Sequence, residues 1–406
     1  MINKGKEVTR SERVRLELLF GLFGTGLMAI GPRAPDLKHN LGVSNGAYGV
    51  IVSFGALGSI ISLLVMGRLV HKVGILRTLY VSATTLYVLM ASLPHIHTPW
   101  IYALLNVFMA ISFSAHNIAL HTQTLQRQDE SGEMLLPRMH GAWSIGVLFT
   151  VLTALVVTSH LSFAVHIDVL VGTIWILTMF LIRSSAHTFT LKSVEAVAME
   201  KINIARLRRI FTFDKSIIVA FALGTFMEFA SVDWSTLVTN QEIGARKSIS
   251  VLSYLALILG MIAGRMYFVK LIKYRSERFW IRLAALGGGG GFILFTQLAW
   301  FLAGKGSSFA LPLEVLAFLF AGLGTSFMSP LFTTIANRRS SLKPSEVVSQ
   351  LNLSNTIIAF GAKMFVAWVA QTASITIALL IPGIGLLLAA RFAYLGNPHR
   401  LKDQKS

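Results

Sequence analysis

Four ionisable side chains stand inside long apolar stretches of the sequence: Glu228 and Asp233 in one, Lys363 in another, and Arg265 towards the end of a third. Charge in apolar surroundings is costly, and residues that carry it there mark proton relays, solute sites or ion pairs. Glu228 is followed by Ser231 and Ser235 at i+3 and i+7, so a carboxyl and two hydroxyls share one helix face. Such a face can hydrogen-bond a polar solute or carry an exchangeable proton. Asp233 lies five residues on, about 140° around the axis, and is not the second member of a carboxylate pair. Trp234, Asn117 and Asn355 add an aromatic ring and two amides of the kind that hold sugars and many other solutes. His116 has two readings, lining an aqueous cavity or bonding a neighbouring helix. Lys363 is long enough to reach outward along its stem. Asp168 and Glu314 fall near the ends of their stretches, where solvent is expected to reach them, and Arg265 is expected to join the basic loop that follows it.

Other patterns carry less chemistry than they suggest. Residues 42–46 read G-x-S-x-G, but a nucleophile elbow needs a strand before it and a helix after it. Ser44 or Asn45 is better read as a helix N-cap. The glycine run at 287–291 lacks the Lys-Ser/Thr that completes a phosphate loop, and close helix packing is its better use. His116 and His121 are five residues apart and cannot form an i, i+4 metal pair, although Asn117 and His121 share a face. No H-E-x-x-H occurs, and the chain has no cysteine, which excludes disulfides, Cys-ligated zinc and thiol catalysis. No catalytic residue, metal or cofactor is assigned.

The elements that must position these side chains follow from composition. The 406 residues are 54% hydrophobic and only 13% charged, against about 25% charged in a soluble domain. Mean hydropathy is +0.66. Apolar runs of about 20 residues span the roughly 30 Å apolar core of a bilayer, and twelve occur. They cover 16–35, 45–67, 75–94, 99–123, 140–159 and 163–183, then 215–239, 248–270, 279–303, 308–336, 347–370 and 374–395. The first follows a basic segment and resembles a signal peptide, but eleven more runs make it a retained helix. The expected fold is an all-α polytopic membrane protein in two six-helix bundles, 1–183 and 215–406. The linker between them, 184–214, contains a basic amphipathic helix expected to lie on the inner leaflet.

The net charge of +18 would suggest nucleic acid in a soluble protein; here it fits cytoplasmic loops and anionic lipid. With the N-terminus inside, thirty Lys and Arg fall on the cytoplasmic side and five outside (Arg33, Lys38, Arg246, Lys247 and Lys305), with Lys363 in a helix. A wrong helix count would invert this bias partway along the chain. Both termini are expected to be cytoplasmic.

Residues 67–77, GRLVHKVGILR, form a short basic loop between the second and third runs. The loop resembles the signature G-x-x-x-D-R-x-G-R-R of the major facilitator superfamily. Gly67, Lys72, Gly74 and Arg77 fit it, Arg77 one place late, and His71 stands where the family usually has Asp. Gly67-Arg68 closes the second helix and Gly264-Arg265 the eighth, an echo expected of parallel six-helix halves. Within the superfamily, residues 139–146 (MHGAWSIG), residues 228–235 (EFASVDWS) and Gly322-Leu323-Gly324 with Pro330 resemble a poorly characterised bacterial branch of permease-like inner-membrane members.

The resemblance implies a cavity lined by helices one, four, seven and ten that opens alternately to each side. It also implies a cytoplasmic gate of Gly67, Arg68, His71, Lys72, Gly74, Arg77 and Arg265. Departures matter too. Helix four lacks the Arg of many proton-coupled members, with Asn106 nearest in depth, and helix five lacks the Gly-Pro of many drug antiporters.

The expected function is secondary transport of a small polar solute by alternating access, with proton coupling and facilitated diffusion both open. The alternative is a membrane-embedded enzyme or a non-transporting sensor. Glu228 either faces the cavity, where it carries a coupling proton or binds solute, or is a structural acid bonded to a neighbouring helix. Expected partners are solute and lipid, without nucleic acid, and the chain is expected to act as a monomer, multi-pass in the plasma (inner) membrane. Reporter fusions after Leu161 and Gly304 should read outside and one after Lys201 inside; an outside signal at Lys201 would overturn the six-plus-six topology.

Overall fold

The computed structural model describes residues 8–187, 214–340, 342 and 344–396. Among them the chain is all helical, with no strand. Twelve helices are long and apolar enough to cross a membrane: α1 (Arg10–Leu41), α2 (Asn45–Met66), α3 (Ile75–His95), α4 (Pro99–Gln128), α5 (Arg138–Val157), α6 (Phe163–Ser184), α7 (Lys215–Gln241), α8 (Lys247–Phe268), α9 (Glu277–Ala303), α10 (Ala310–Arg339), α11 (Val347–Thr372) and α12 (Ile375–Gly396). Each matches an expected span. α1 differs most, because its flanking polar turns are also helical. Thr9 caps it by accepting from the Glu12 N–H, and its charges find partners on α4 and beyond, with Glu12 against Arg127 at 2.5 Å and Arg13 against Glu133. The basic linker at 184–214 lies outside the described residues except for 184–187 and 214.

Large apolar side chains face outward on many helices, among them Val81, Val88, Trp100, Phe108 and Phe180, and on later helices Met266, Leu294 and Phe301. In water such a surface would be a liability. Against lipid it is the solvated surface, and the polar backbone is satisfied inside each helix.

The chain forms two compact units, Met1–Gly42 with Phe54–Ile202 and Val43–Ser53 with Asn203–Ser406. In the first, α1 meets α5 through small residues: a Cβ on Gly146 would lie 1.9 Å from the Gly21 carbonyl oxygen. The closeness lets Thr150 donate to the Thr25 carbonyl at 2.7 Å and Thr25 to the Gly146 carbonyl at 3.1 Å. At the far end of α1, Arg33 is buried and donates to Asp36 (2.7 Å) and the Leu161 carbonyl (3.3 Å).

In the second unit the glycine run does the same work. Gly288 abuts Gly324 of α10, Gly289 abuts Gly383 of α12, and Gly291 lies under the Phe320 ring. The helix takes a π turn over Ala284–Gly289, a local widening that re-registers its faces. α2 is interrupted at Phe54. Its first part, Asn45–Ser53, packs on α11 and belongs to the second unit, while the helix resumes at Gly55 in the first. Ser44 caps that first part, its hydroxyl accepting from the Ala47 N–H at 3.3 Å.

Gly146→Val should cost about 1–3 kcal/mol by overpacking, read as a lowered unfolding midpoint in detergent. Gly141→Ala on the same helix, with open space where the methyl would sit, should leave the midpoint unchanged.

Candidate functional site

α7 begins at Lys215, with the Asp214 side chain accepting from the Ser216 N–H at 3.0 Å. Glu228 is thirteen residues on, which places it about 20 Å along the helix. Its partner comes from α8 by way of α10. α10 is broken: its first part ends at Thr325 and its second starts at Met328. Pro330 has no N–H, so the carbonyl four residues back, that of Ser326, has no helical donor. Arg265 supplies one, its Nε donating to the Ser326 carbonyl at 3.0 Å. The approach requires a glycine beside it, because a Cβ at Gly264 would sit 2.1 Å from Ser326 Oγ. Anchored this way, the guanidinium reaches Glu228 with 3.7 Å between nitrogen and Oε1. That is ion-pair distance without a hydrogen bond. Both side chains stay open, Glu228 at 26% and Arg265 at 40% exposure.

A second pair lies further along α7. Lys363 Nζ is 2.7 Å from Asp233 Oδ2 and 5.9 Å from the centre of the Phe229 ring. Phe229 and Asp233 are one helical turn apart, so one face of α7 offers a carboxylate and a π face together. This corrects the expectation that Lys363 reaches outward. A lysine extends to the membrane surface when it has no nearer counter-charge, and here it has one. Glu228 and Asp233 therefore serve separate bases on α8 and α11. Tyr254, buried on α8, lies within electrostatic reach of both carboxylates.

The remaining expected residues are distributed differently. Ser231 and Ser235 lie along the Glu228 side of α7 but are fully buried, and neither hydroxyl finds a partner among the described residues. Asn355 is buried and accepts from Thr225 at 3.2 Å. Trp234 is buried edge-on against Tyr48, 5.7 Å between ring centres, and Gly49 makes room for it. In the first unit His116 is fully buried, its Nδ1 3.2 Å from Ser82 Oγ and its ring 4.8 Å from that of Phe23. Asn117 is half-buried and its backbone carbonyl accepts from His121 at 2.9 Å. In the basic loop Gly74 takes φ 92°, open only to glycine, and ends the helix that α2 begins. Lys72 and Arg77 beside it are exposed. Gly67, Arg68 and His71 lie in the preceding turns, with side chains outside the described set. Asp168 is exposed as expected and pairs with His95 at 3.0 Å. Glu314 is not: its exposure is 0%. No group of three or more His, Cys, Asp or Glu able to hold a metal occurs among the described residues.

Residues 16–362 match the family model described as Major Facilitator Superfamily. The chain belongs to the Major Facilitator Superfamily. It is therefore a multi-pass membrane protein and a secondary transporter built on twelve helices. No curated protein matches the sequence. Among solved structures, a point variant of the nucleoside transporter NupG is 12% identical with a TM-score of 0.75, covering 95% of this chain and 100% of its own. A D-xylose–proton symporter is 15% identical with a TM-score of 0.70, covering 96% and 98%. A bacterial homologue of the human lysosomal transporter Spinster, inward-facing and unoccupied, is 12% identical with a TM-score of 0.69, covering 96% and 97%. At these identities the likeness is one of fold.

Sequence reasoning missed the partnership of Arg265 with Glu228. The signal that finds it is Pro330, which names the orphaned carbonyl by counting back four. In the second pair, Asp233→Asn strands the Lys363 charge and should lower stability by up to about 3 kcal/mol. Asp233→Asn with Lys363→Met should recover most of that loss, measured by thermal unfolding in a double-mutant cycle.

Proposed function

We propose that this superfamily member moves a small polar solute across the plasma membrane, with both termini cytoplasmic, and that Glu228 on α7 is its solute and coupling group. The observation that carries the reading is the loose Glu228–Arg265 pair, 3.7 Å apart and partly open on both sides. A closed pair would be inert. An open one lets a solute hydroxyl or a proton compete for the carboxylate while the Ser326 carbonyl keeps the guanidinium in place. The tight Asp233–Lys363 pair is the fixed counterpart that shapes the site without exchanging. Tyr254 and Asn355 supply polar groups on the helices beside it.

The chain acts as a monomer without nucleic acid, cofactor or catalytic chemistry of its own. Arg68, His71, Lys72 and Arg77 serve a cytoplasmic gate. The solute class is sugar-like or nucleoside-like, a reading helped by the similarity in fold to transporters of D-xylose and of nucleosides. Proton coupling fits a carboxyl that can trade its cation partner for a proton.

Uptake of labelled D-xylose and of nucleosides into sealed vesicles bearing the protein is the direct test. Glu228→Gln keeps the volume and much of the hydrogen bonding but cannot exchange a proton. It should abolish accumulation against a gradient and leave solute exchange within a few-fold of wild type. Unchanged accumulation in Glu228→Gln would sink the assignment.

A further inference from the structure

Besides Glu228 and Asp233, the second unit holds another acid within a membrane-spanning helix. Glu314 is the fifth residue of α10. Its exposure is 0%, and among the described residues neither carboxylate oxygen makes a hydrogen bond. The hydroxyl of Thr296, from α9, is the side-chain donor beside it, yet it too is buried and makes no hydrogen bond of ordinary geometry. Among the described residues the charged group that acts on Glu314 is Glu242, just past the end of α7, and it is of the same sign.

The two acids are treated very differently by the fold. Glu242 accepts from the backbone N–H groups of Ile375 and Thr376, the latter at 2.9 Å, and from the Thr376 hydroxyl. Those donors form the start of α12, the end of a helix that favours an anion. Both oxygens of Glu242 thus have donors. Among the described residues Glu314 has no donor in good geometry, no paired base and an anionic neighbour. A carboxylate cannot be carried there, so a cation must accompany it. A residue sealed on every side takes the smallest one.

We propose that Glu314 is a proton-binding site of the second unit, separate from Glu228, which exchanges its proton only when the end of α7 and the start of α12 part from α10. The link is structural. Glu242, the acid that acts on Glu314, ties the end of α7 to the start of α12. Loosening that tie exposes the acid, and resealing it traps whichever protonation state it then has. This stands independently of the role assigned to Glu228.

The experiment is infrared spectroscopy of the full chain in phosphatidylcholine vesicles, without solute. Wild type should show the carbonyl band of an un-ionised carboxyl at neutral pH, absent in Glu314→Gln and kept in Glu228→Gln. Thr296→Val leaves the carboxyl in place and should shift the band without removing it, which identifies the group even if Glu314→Gln folds poorly. Glu242→Gln, which weakens the tie, should speed the band's shift on transfer to D₂O by about tenfold or more. Three results would overturn the proposal: a band kept in Glu314→Gln, a band removed when sodium chloride replaces choline chloride, or an exchange rate indifferent to Glu242→Gln. Loss of the band in Glu228→Gln alone would move the proton to Glu228 and leave the solute assignment standing.

Discussion

Inside a bilayer every backbone carbonyl needs a donor from the protein, because water is not there to supply one. Pro330 breaks that rule at one place, leaving the Ser326 carbonyl unpaired in the middle of α10. The fold answers with the Arg265 side chain. One orphaned acceptor thus fixes the position of a guanidinium, which lies 3.7 Å from Glu228. Gly264 on α8 and the break in α10 are parts of the same solution, since neither helix could come near enough without them. The charged site is built from a backbone defect outward.

Packing elsewhere follows from the same scarcity of driving force. Lipid is as apolar as the helix faces, so helices associate by close fit and by hydrogen bonds. Gly21 with Gly146 in the first unit, and Gly288 with Gly324 in the second, let backbones touch. Where the first pair touches, Thr25 and Thr150 add hydrogen bonds, and at the α7–α10 contact Thr325 donates to the Gly224 carbonyl at 2.8 Å. The charged residues are handled pairwise. Lys363 with Asp233, and Arg33 with Asp36, turn inward to partners that hold them closely.

The twelve helices were legible in the sequence because their signal is local: length, apolarity and the sign of loop charge need no tertiary partner. The glycine run reads in the sequence as close packing or local flexibility, and in the fold Gly288, Gly289 and Gly291 pack against α10 and α12. What was hidden depends on partners far away in the chain. Lys363 alone reads as a lysine that reaches outward, and only Asp233, well over a hundred residues earlier, turns it inward. Glu314 lies five residues into its helix, where solvent is the natural guess, but packing leaves it with 0% exposure. Arg265 reads as a loop charge until the Ser326 carbonyl gives it a reason to face the protein. The serines after Glu228 follow the expected periodicity, but periodicity says nothing of depth within the packed core.

The interruption of α2 at Phe54 has a consequence for how the chain is made. Residues 45–53 are synthesised early, yet the surfaces they rest on come late: Trp234 on α7, and Ala367 and Gln371 near the end of α11. Some three hundred residues must leave the ribosome before the Gly46 N–H meets the Gln371 side chain at 2.9 Å. Until then this half-helix is without its native neighbours. The Gly46–Gln371 contact is among those of long sequence separation, the kind that slows folding most.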